Sequence, residues 1–401
     1  MVLMYFLLLV LRICRLLGPF IPENVYEIGP HELSRRDTFA RQFYTTYGVN
    51  VEGNFVSSPI GASISLSMLD YGVNENLSSV LGEKLVFSKN GILQKEDTRA
   101  LVDVLKSPGH SRMSSLIFAS KDLQIKTEFR FAMRNIFQTG ITKVNYSDPQ
   151  QAINTINDWW HAQSRGNNHD IISSDDVSNN TILVFANVIE MNSWWATPLP
   201  WFDNQVRSSY DKDGCIHDYH MMNVSKKLKH VNFDKVGILF VEMPYKQEDL
   251  SLVLIMSKNA SDWTNLDRHI RLDTLFNMST NANVNFHIPR FRITSTIDLI
   301  DILGGAAFRE GFNKFNRIAT DPFKISSIKQ KTYIEIDEEN TRAMAVTIIT
   351  NDESKSENQE APEAPVDLKT DVPFYFAIIK RLNLSKDFVV LFDGHFKKFD
   401  W

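Results

Sequence analysis

The feature that most restricts what this chain can become is a series of short β-rich runs crowded into its C-terminal half. They occupy residues 181–191, 237–243, 251–256, 284–288 and 388–392, each dense in Val, Ile, Leu and Phe. Runs of this kind require large sheets. The N-terminal part carries a different period. Phe39, Phe43 and Tyr47 fall on one helical face, and Asp37 is placed to cap that helix. Residues 19–34 read as an irregular arm. Gly48 and Gly53 break the chain before a strand at 54–58, and Pro59 opens a second helix through Met68 and Leu69. The expected class is α+β. At 401 residues two domains would be the ordinary prior. A single core built on large sheets is the better fit, because 43% hydrophobic residues can fill it and no internal repeat divides the chain.

Compartment is read from three features. Residues 1–18 open with an apolar run from Met1 to Leu11, too short to cross a bilayer that needs about 20 residues. They read as a signal peptide, leaving residues 19–401 as the mature chain and no membrane anchor. Seven Asn-x-Ser/Thr sequons, at Asn76, Asn145, Asn179, Asn223, Asn259, Asn277 and Asn383, are candidate glycosylation sites. The only cysteines are Cys14, inside the leader, and Cys215, so no internal disulfide can staple the mature fold. The expected location is extracellular.

Charge and motif content exclude several function classes. A net charge of −5 with no dense Lys/Arg tract gives phosphate little attraction, so nucleic acid is not an expected partner. The basic run Lys226, Lys227, Lys229 and His230 reads as a solvated face. Cys215, His217 and His220 lack a nearby fourth ligand, which leaves no metal site. No nucleophile elbow, metalloprotease helix, P-loop or dinucleotide fingerprint occurs. Neither an enzyme nor a cofactor is expected. Trp159–Trp160 and Trp194–Trp195 read as core area.

A family resemblance runs from residue 37 to 396. Asn-Phe-Val-Ser-Ser-Pro-Ile at 54–60 is followed by TILVFANVIEMNSWW at 181–195 and Met221–Met222. Next come Met243-Pro244-Tyr245-Lys246 and His287-Ile288-Pro289-Arg290-Phe291. The series closes with Ile334 to Glu339, Pro373 to Phe376 and Phe392-Asp393-Gly394. In content and order these resemble the serpins. The resemblance implies three β-sheets, about eight or nine helices and an exposed reactive loop at about 338–372. It implies a sheet-opening region at Ser58, Asn187, Trp195 and Gln330, and a loop hinge at Glu338, Glu339, Asn340, Thr341, Ala343 and Ala345. It also implies the function: a monomeric inhibitor that offers its loop to an extracellular serine protease and inserts the cut loop into its own sheet. The alternative is a non-inhibitory serpin serving as an extracellular binding or carrier protein. The chain departs from the pattern at Gln330, where His is usual, at Gly61, where Ser is common, and at Asn340, where inhibitors usually carry Gly.

Insertion makes a period-two demand that can be tested on the residues themselves, since alternate side chains must enter a packed core. Thr341, Ala343, Ala345 and Thr347 are all small, while Arg342, Met344, Val346 and Ile348 take the outward positions. No proline interrupts 337–360, so every residue keeps the N–H that a ladder needs. Asn tolerates positive φ better than other side-chain-bearing residues, which preserves a turn at Asn340. Beyond it, 351–371 is rich in Asp, Glu, Ser and Pro, the composition of a mobile loop. Spacing from the hinge puts the scissile bond at or beside Ser354–Lys355. Lys355 suits a protease with an acidic specificity pocket, and it equally serves as a solvating charge in an acidic loop.

Overall fold

The computed structural model describes residues 30–86, 91–106, 111–163, 170, 172–174, 176–179, 181–200, 205–210, 216–233, 237–257, 271–299, 315–320, 328–343, 366–368, 373–382 and 387–397. The leader at 1–18, Cys14, Cys215, Asn259, Asn383 and loop residues 344–365, with Ala345, Ser354 and Lys355 among them, lie outside this set.

The first helix, α1, spans Pro30–Tyr47 and so begins seven residues before Asp37. Residues 30–34 of the predicted arm are helical instead, and Asp37 is not the cap, while residues 19–29 lie outside the described set. Pro30 stands at the first helical position, where its missing N–H costs no bond. Asp37 instead lies within the helix, 3.2 Å from Arg41 one turn on. The predicted face holds: Phe39 and Phe43 are buried and Tyr47 packs beside them. Strand β1, Phe55–Ser57, then leads into α2, Pro59–Asp70. Ser58 caps α2 by accepting from the Gly61 N–H, and Pro59 occupies the first turn. This helix is apolar nearly all round, as a core helix must be. It packs between β4, Leu183–Trp194, and β15, Phe388–Phe396.

Two hydrogen-bonded sheets result. The first has six strands in the order β10-β11-β12-β4-β2-β3. Its other members are β2 (Ser111–Ser120), β3 (Gly140–Val144), β10 (Phe291–Asp298), β11 (Lys329–Ile336) and β12 (Asn340–Ala343). The second is nine-stranded. It contains β1, β5 (Gln205–Tyr210), β6 (Ile216–Phe233), β7 (Ile238–Pro244), β8 (Leu250–Ser257), β9 (Thr280–Pro289), β13 (Val366–Leu368), β14 (Phe374–Arg381) and β15. Three sheets were expected; among the described residues the pairing gives two, because β6, at 18 residues, is long enough to serve two groups of strands. Its start pairs with β5 and its end with β7, while β9 runs beside most of its length. Seven helices occur among the described residues: α1, α2, α3 (Glu75–Lys84), α4 (Gly91–Lys106), α5 (Thr127–Asn135), α6 (Pro149–Gln163) and α7 (Leu272–Met278).

One large apolar cluster fills the space around α1, α2 and the two sheets. A smaller one lies under α6, where Ala152, Ile153 and Ile156 meet Phe118 of β2 and Ala186 of β4. Strand β14 and all but the first residue of β15 are buried nearly throughout, which explains why their sequences read as continuous apolar runs without alternation. No described helix is long and apolar enough to cross a membrane.

Candidate functional site: the sheet-opening cleft and the loop hinge

Strand β12 is the entry to the site. Asp337 to Glu339 form a tight connection from β11, and the chain returns antiparallel to it, with Ile336 opposite Thr341 and Glu335 opposite Arg342. On its other edge β12 pairs antiparallel with β4, Thr341 facing Ser193 and Ala343 facing Met191. Asn340 to Ala343, three of them residues of the expected hinge, therefore form a strand between β4 and β11. Among the described residues those two strands do not pair with each other.

Side chains fix this entry closely. The Asp337 carboxylate accepts from the N–H groups of Glu339 and Asn340, each at 2.9 Å, and the Asp337 N–H donates to the Asn340 carbonyl at 3.0 Å. The turn is closed without positive φ at Asn340. Among described residues with a side chain, only Val86 and Gln138 take that conformation. The expectation that Asn340 must supply it is corrected: carboxylate capping does the work of a glycine. Trp195, stacked 4.7 Å from Tyr245, donates its indole N–H to the Asp337 carbonyl at 2.8 Å. Tyr245, whose buried hydroxyl is held far above its ordinary pKa by desolvation, donates to the Thr341 hydroxyl at 2.7 Å. Glu338 pairs with Arg290. Its carbonyl accepts from Leu199, and that of Glu339 accepts from the backbone of Trp195.

The predicted alternation is visible where β12 is described. Thr341 is fully buried and Arg342 is half-exposed, reaching Glu335 at 4.0 Å. Burial pushes the Glu335 pKa up, but hydrogen bonds from Arg292 and Tyr333 and the nearby arginine charges bring it below the usual carboxylate range. The Ala343 side chain lies outside the described set.

Below the hinge, Ser58 and Gly61 of α2, Asn187 and Ile189 of β4, Gln330, Lys331 and Thr332 of β11, Trp160 and Phe392 line a narrow cleft. Gln330 clasps the cap residue at both ends: its Oε1 accepts from the Ser58 N–H at 3.0 Å and its Nε2 donates to the Ser58 carbonyl at 2.8 Å. The Ser58 hydroxyl donates to the Leu391 carbonyl at 2.7 Å. Asn187 Nδ2 donates to the Gly61 carbonyl at 3.3 Å, while its Oδ1 is buried with no partner. Gly61 belongs with Gln330. A Cβ there would stand 3.1 Å from the Ser58 hydroxyl and 3.3 Å from the Gln330 amide nitrogen, crowding the clasp.

Ser58, Asn187 and Gln330, inferred from separate stretches of sequence, thus converge on one cleft, and Trp195 holds the turn above it. Sequence reasoning assigned no role to Asp337 and Tyr245, whose side chains bond the turn and Thr341. Tyr245 was visible only as part of a motif. Of the sequons, Asn179 and Asn277 are exposed, and Asn145 and Asn223 are half-buried, the latter opposite His287 in β6. Asn76 lies in α3 with its side chain outside the described residues. Trp195 and Trp160 are buried as expected, whereas Trp194 is 42% exposed.

A family model described as Serpin (serine protease inhibitor) matches residues 34–396. This chain belongs to the serpin family. Antitrypsin of Bombyx mori is 23% identical over 374 residues, covering 90% of this chain and 92% of the relative. Serpin B3 of Homo sapiens is 22% identical and covers 91% and 99%. Among solved structures, cleaved Serpin 42Da superposes with a TM-score of 0.77 at 19% identity, over 93% of this chain and all of that one. Human thyroxine-binding globulin, complexed with its hormone, gives 0.74 at 19%, over 92% and 98%. Serpins are generally protease inhibitors and not catalysts, and the second structure is a member that binds a small molecule.

Proposed function

We propose that this serpin is a secreted, monomeric inhibitor of an extracellular serine endopeptidase, acting as a suicide substrate. The protease serine attacks a carbonyl at or beside Ser354–Lys355, the new amine end leaves, and an ester joins enzyme to loop. The cut loop then enters the sheet from the hinge and carries the enzyme with it before water can hydrolyse the ester. The observation that carries this reading is the seating of Asn340–Ala343 between β4 and β11, two strands that among the described residues make no ladder with each other. Insertion continues a ladder that has already started. The small residues Ala345 and Thr347 suit the next buried positions, and an arriving strand brings N–H donors toward the unpartnered Asn187 Oδ1. The leader at 1–18 and the seven sequons support secretion.

Incubation with trypsin-like and chymotrypsin-like proteases tests the proposal. A denaturant-resistant complex, with the mass of enzyme plus cleaved serpin, is expected on a gel. Cleavage without that complex overturns the inhibitor reading in favour of a binding or carrier protein.

A further inference from the structure

Behind the cleft, on the far side of Ser58, lies a buried polar cluster that the inhibitory cycle as described does not use. Asp393 of β15 is 1% exposed, and Ser57, its register partner on β1, and His395 are fully buried. The Ser57 hydroxyl donates to Asp393 Oδ1, and the Tyr375 hydroxyl of β14 donates to Oδ2 at 3.4 Å. Among the described residues no Lys or Arg meets this carboxyl. We propose that Asp393, buried between β1 and β14, is a positioning residue for the sheet-opening cleft: its ionisation loosens β1 where it enters Ser58, and with it the Ser58–Gln330 clasp.

The connections are short. The Ser58 hydroxyl is bonded to the Leu391 carbonyl and the Ser57 hydroxyl to Asp393, so two residues of β15, two positions apart, hold both members of the pair that begins the cleft. The strands also touch flush: a Cβ at Gly394 would lie 2.1 Å from the Phe55 carbonyl oxygen. A charge that draws water to Asp393 therefore displaces β1 directly.

The groups facing Asp393 leave that charge uncompensated. From α1 come Tyr44 and, farther off, Asp37, whose negative charge acts on Tyr375. From β14 comes Tyr375, whose hydroxyl burial holds well above its usual range. On β15, His395 Nε2 faces the Gly53 carbonyl at 2.9 Å and so must be the protonated nitrogen, which leaves Nδ1 to accept from Tyr44 at 2.9 Å. Burial, aided by Lys397, lowers the His395 pKa to about 4, so the ring is neutral. Lys397 is committed to the Val49 and Val51 carbonyls. Burial raises Asp393 to about 7, against opposing bonds from Ser57 and Tyr375.

The sign follows from the raised value. Between about pH 4 and 7 the folded chain holds a proton that the unfolded chain has released, so this group's contribution to stability declines across that window and levels off above it. Thermal unfolding of the intact protein and of Asp393→Asn from pH 4.5 to 8.5 tests this without reference to inhibition. The two melting temperatures should coincide at the acid end and separate progressively, with the variant higher at pH 8. At that pH, amide exchange of peptides containing Ser58 should be several-fold slower in the variant. Ser57→Ala removes a bond that favours the ionised form, and should move the midpoint of the pH dependence upward. A melting difference independent of pH, with exchange at Ser58 unchanged, overturns the proposal, as does an unmoved midpoint in Ser57→Ala. The cleft's part in loop insertion rests on the inhibitor reading. If the protease assay gives cleavage alone, the inhibitor reading fails while these melting and exchange results still decide the role of Asp393.

Discussion

Gln330 makes two hydrogen bonds to one residue, and both are to backbone groups of the helix cap Ser58. Truncation to Ala leaves the Ser58 N–H without a partner, while the Ser58 carbonyl keeps its bond from the Ala62 N–H. Gln330→Ala should therefore destabilise the protein by about 1–2 kcal/mol, measured by urea unfolding. Gln330→Asn, one methylene too short to clasp both groups, should recover less than half of that. A loss under about 0.5 kcal/mol for the Ala variant would show that the clasp is incidental. The identity of this residue was readable because the surrounding motif fixes its position on β11. Its two-ended bond was not, since an amide in a strand carries no signal of what it reaches. Asp393 shows the harder case. It sits in a strand buried on both faces, so no period separates an inward from an outward side chain, and one polar letter among apolar ones gives no hint of Ser57, far away in sequence.

At the scale of elements, β12 is short and is held chiefly by where its side chains go. Thr341 is fully buried and bonded to Tyr245, while Arg342 turns outward toward Glu335. Thr341→Arg would place a cation where no carboxylate waits, a change expected to exclude the residue from the strand position. The prediction is that the variant is cleaved by the target protease at the wild-type rate and forms no stable complex, read as the ratio of cleaved product to complex on a gel. Unchanged complex formation would separate seating of β12 from inhibition. The small-large alternation that anticipates this arrangement was legible in the sequence because a strand's period of two is imposed by backbone geometry alone. The turn feeding it was not. Asn340 looked like a glycine substitute, but Asp337, three residues earlier, caps the turn and removes the need for positive φ. Capping depends on local side-chain reach, which composition cannot distinguish from an ordinary acidic surface.

For the whole molecule, the arrangement has a thermodynamic consequence. That the chain builds large sheets was legible in its β-rich runs, yet the joining of strands through β6 depends on pairing along its length, a non-local property. The six-stranded sheet keeps β4 and β11 apart at the hinge by the width of one strand, and among the described residues they make no ladder with each other. A chain segment entering behind β12 bonds along two edges at once. Each residue added as a strand gains ladder bonds worth about 1 kcal/mol each in net terms and buries alternate side chains. Ten residues together contribute on the order of 10 kcal/mol, against the ordering entropy of a loop that is already tethered at one end. Whatever surplus remains after that cost raises the melting temperature of the cut form. Limited proteolysis within 351–365, followed by calorimetry of the nicked but unfractionated protein, should show this increase. A nicked sample that melts with the intact one would mean that the cut segment gains no strand partners, leaving the hinge as an anchored turn and the fold without its stored free energy.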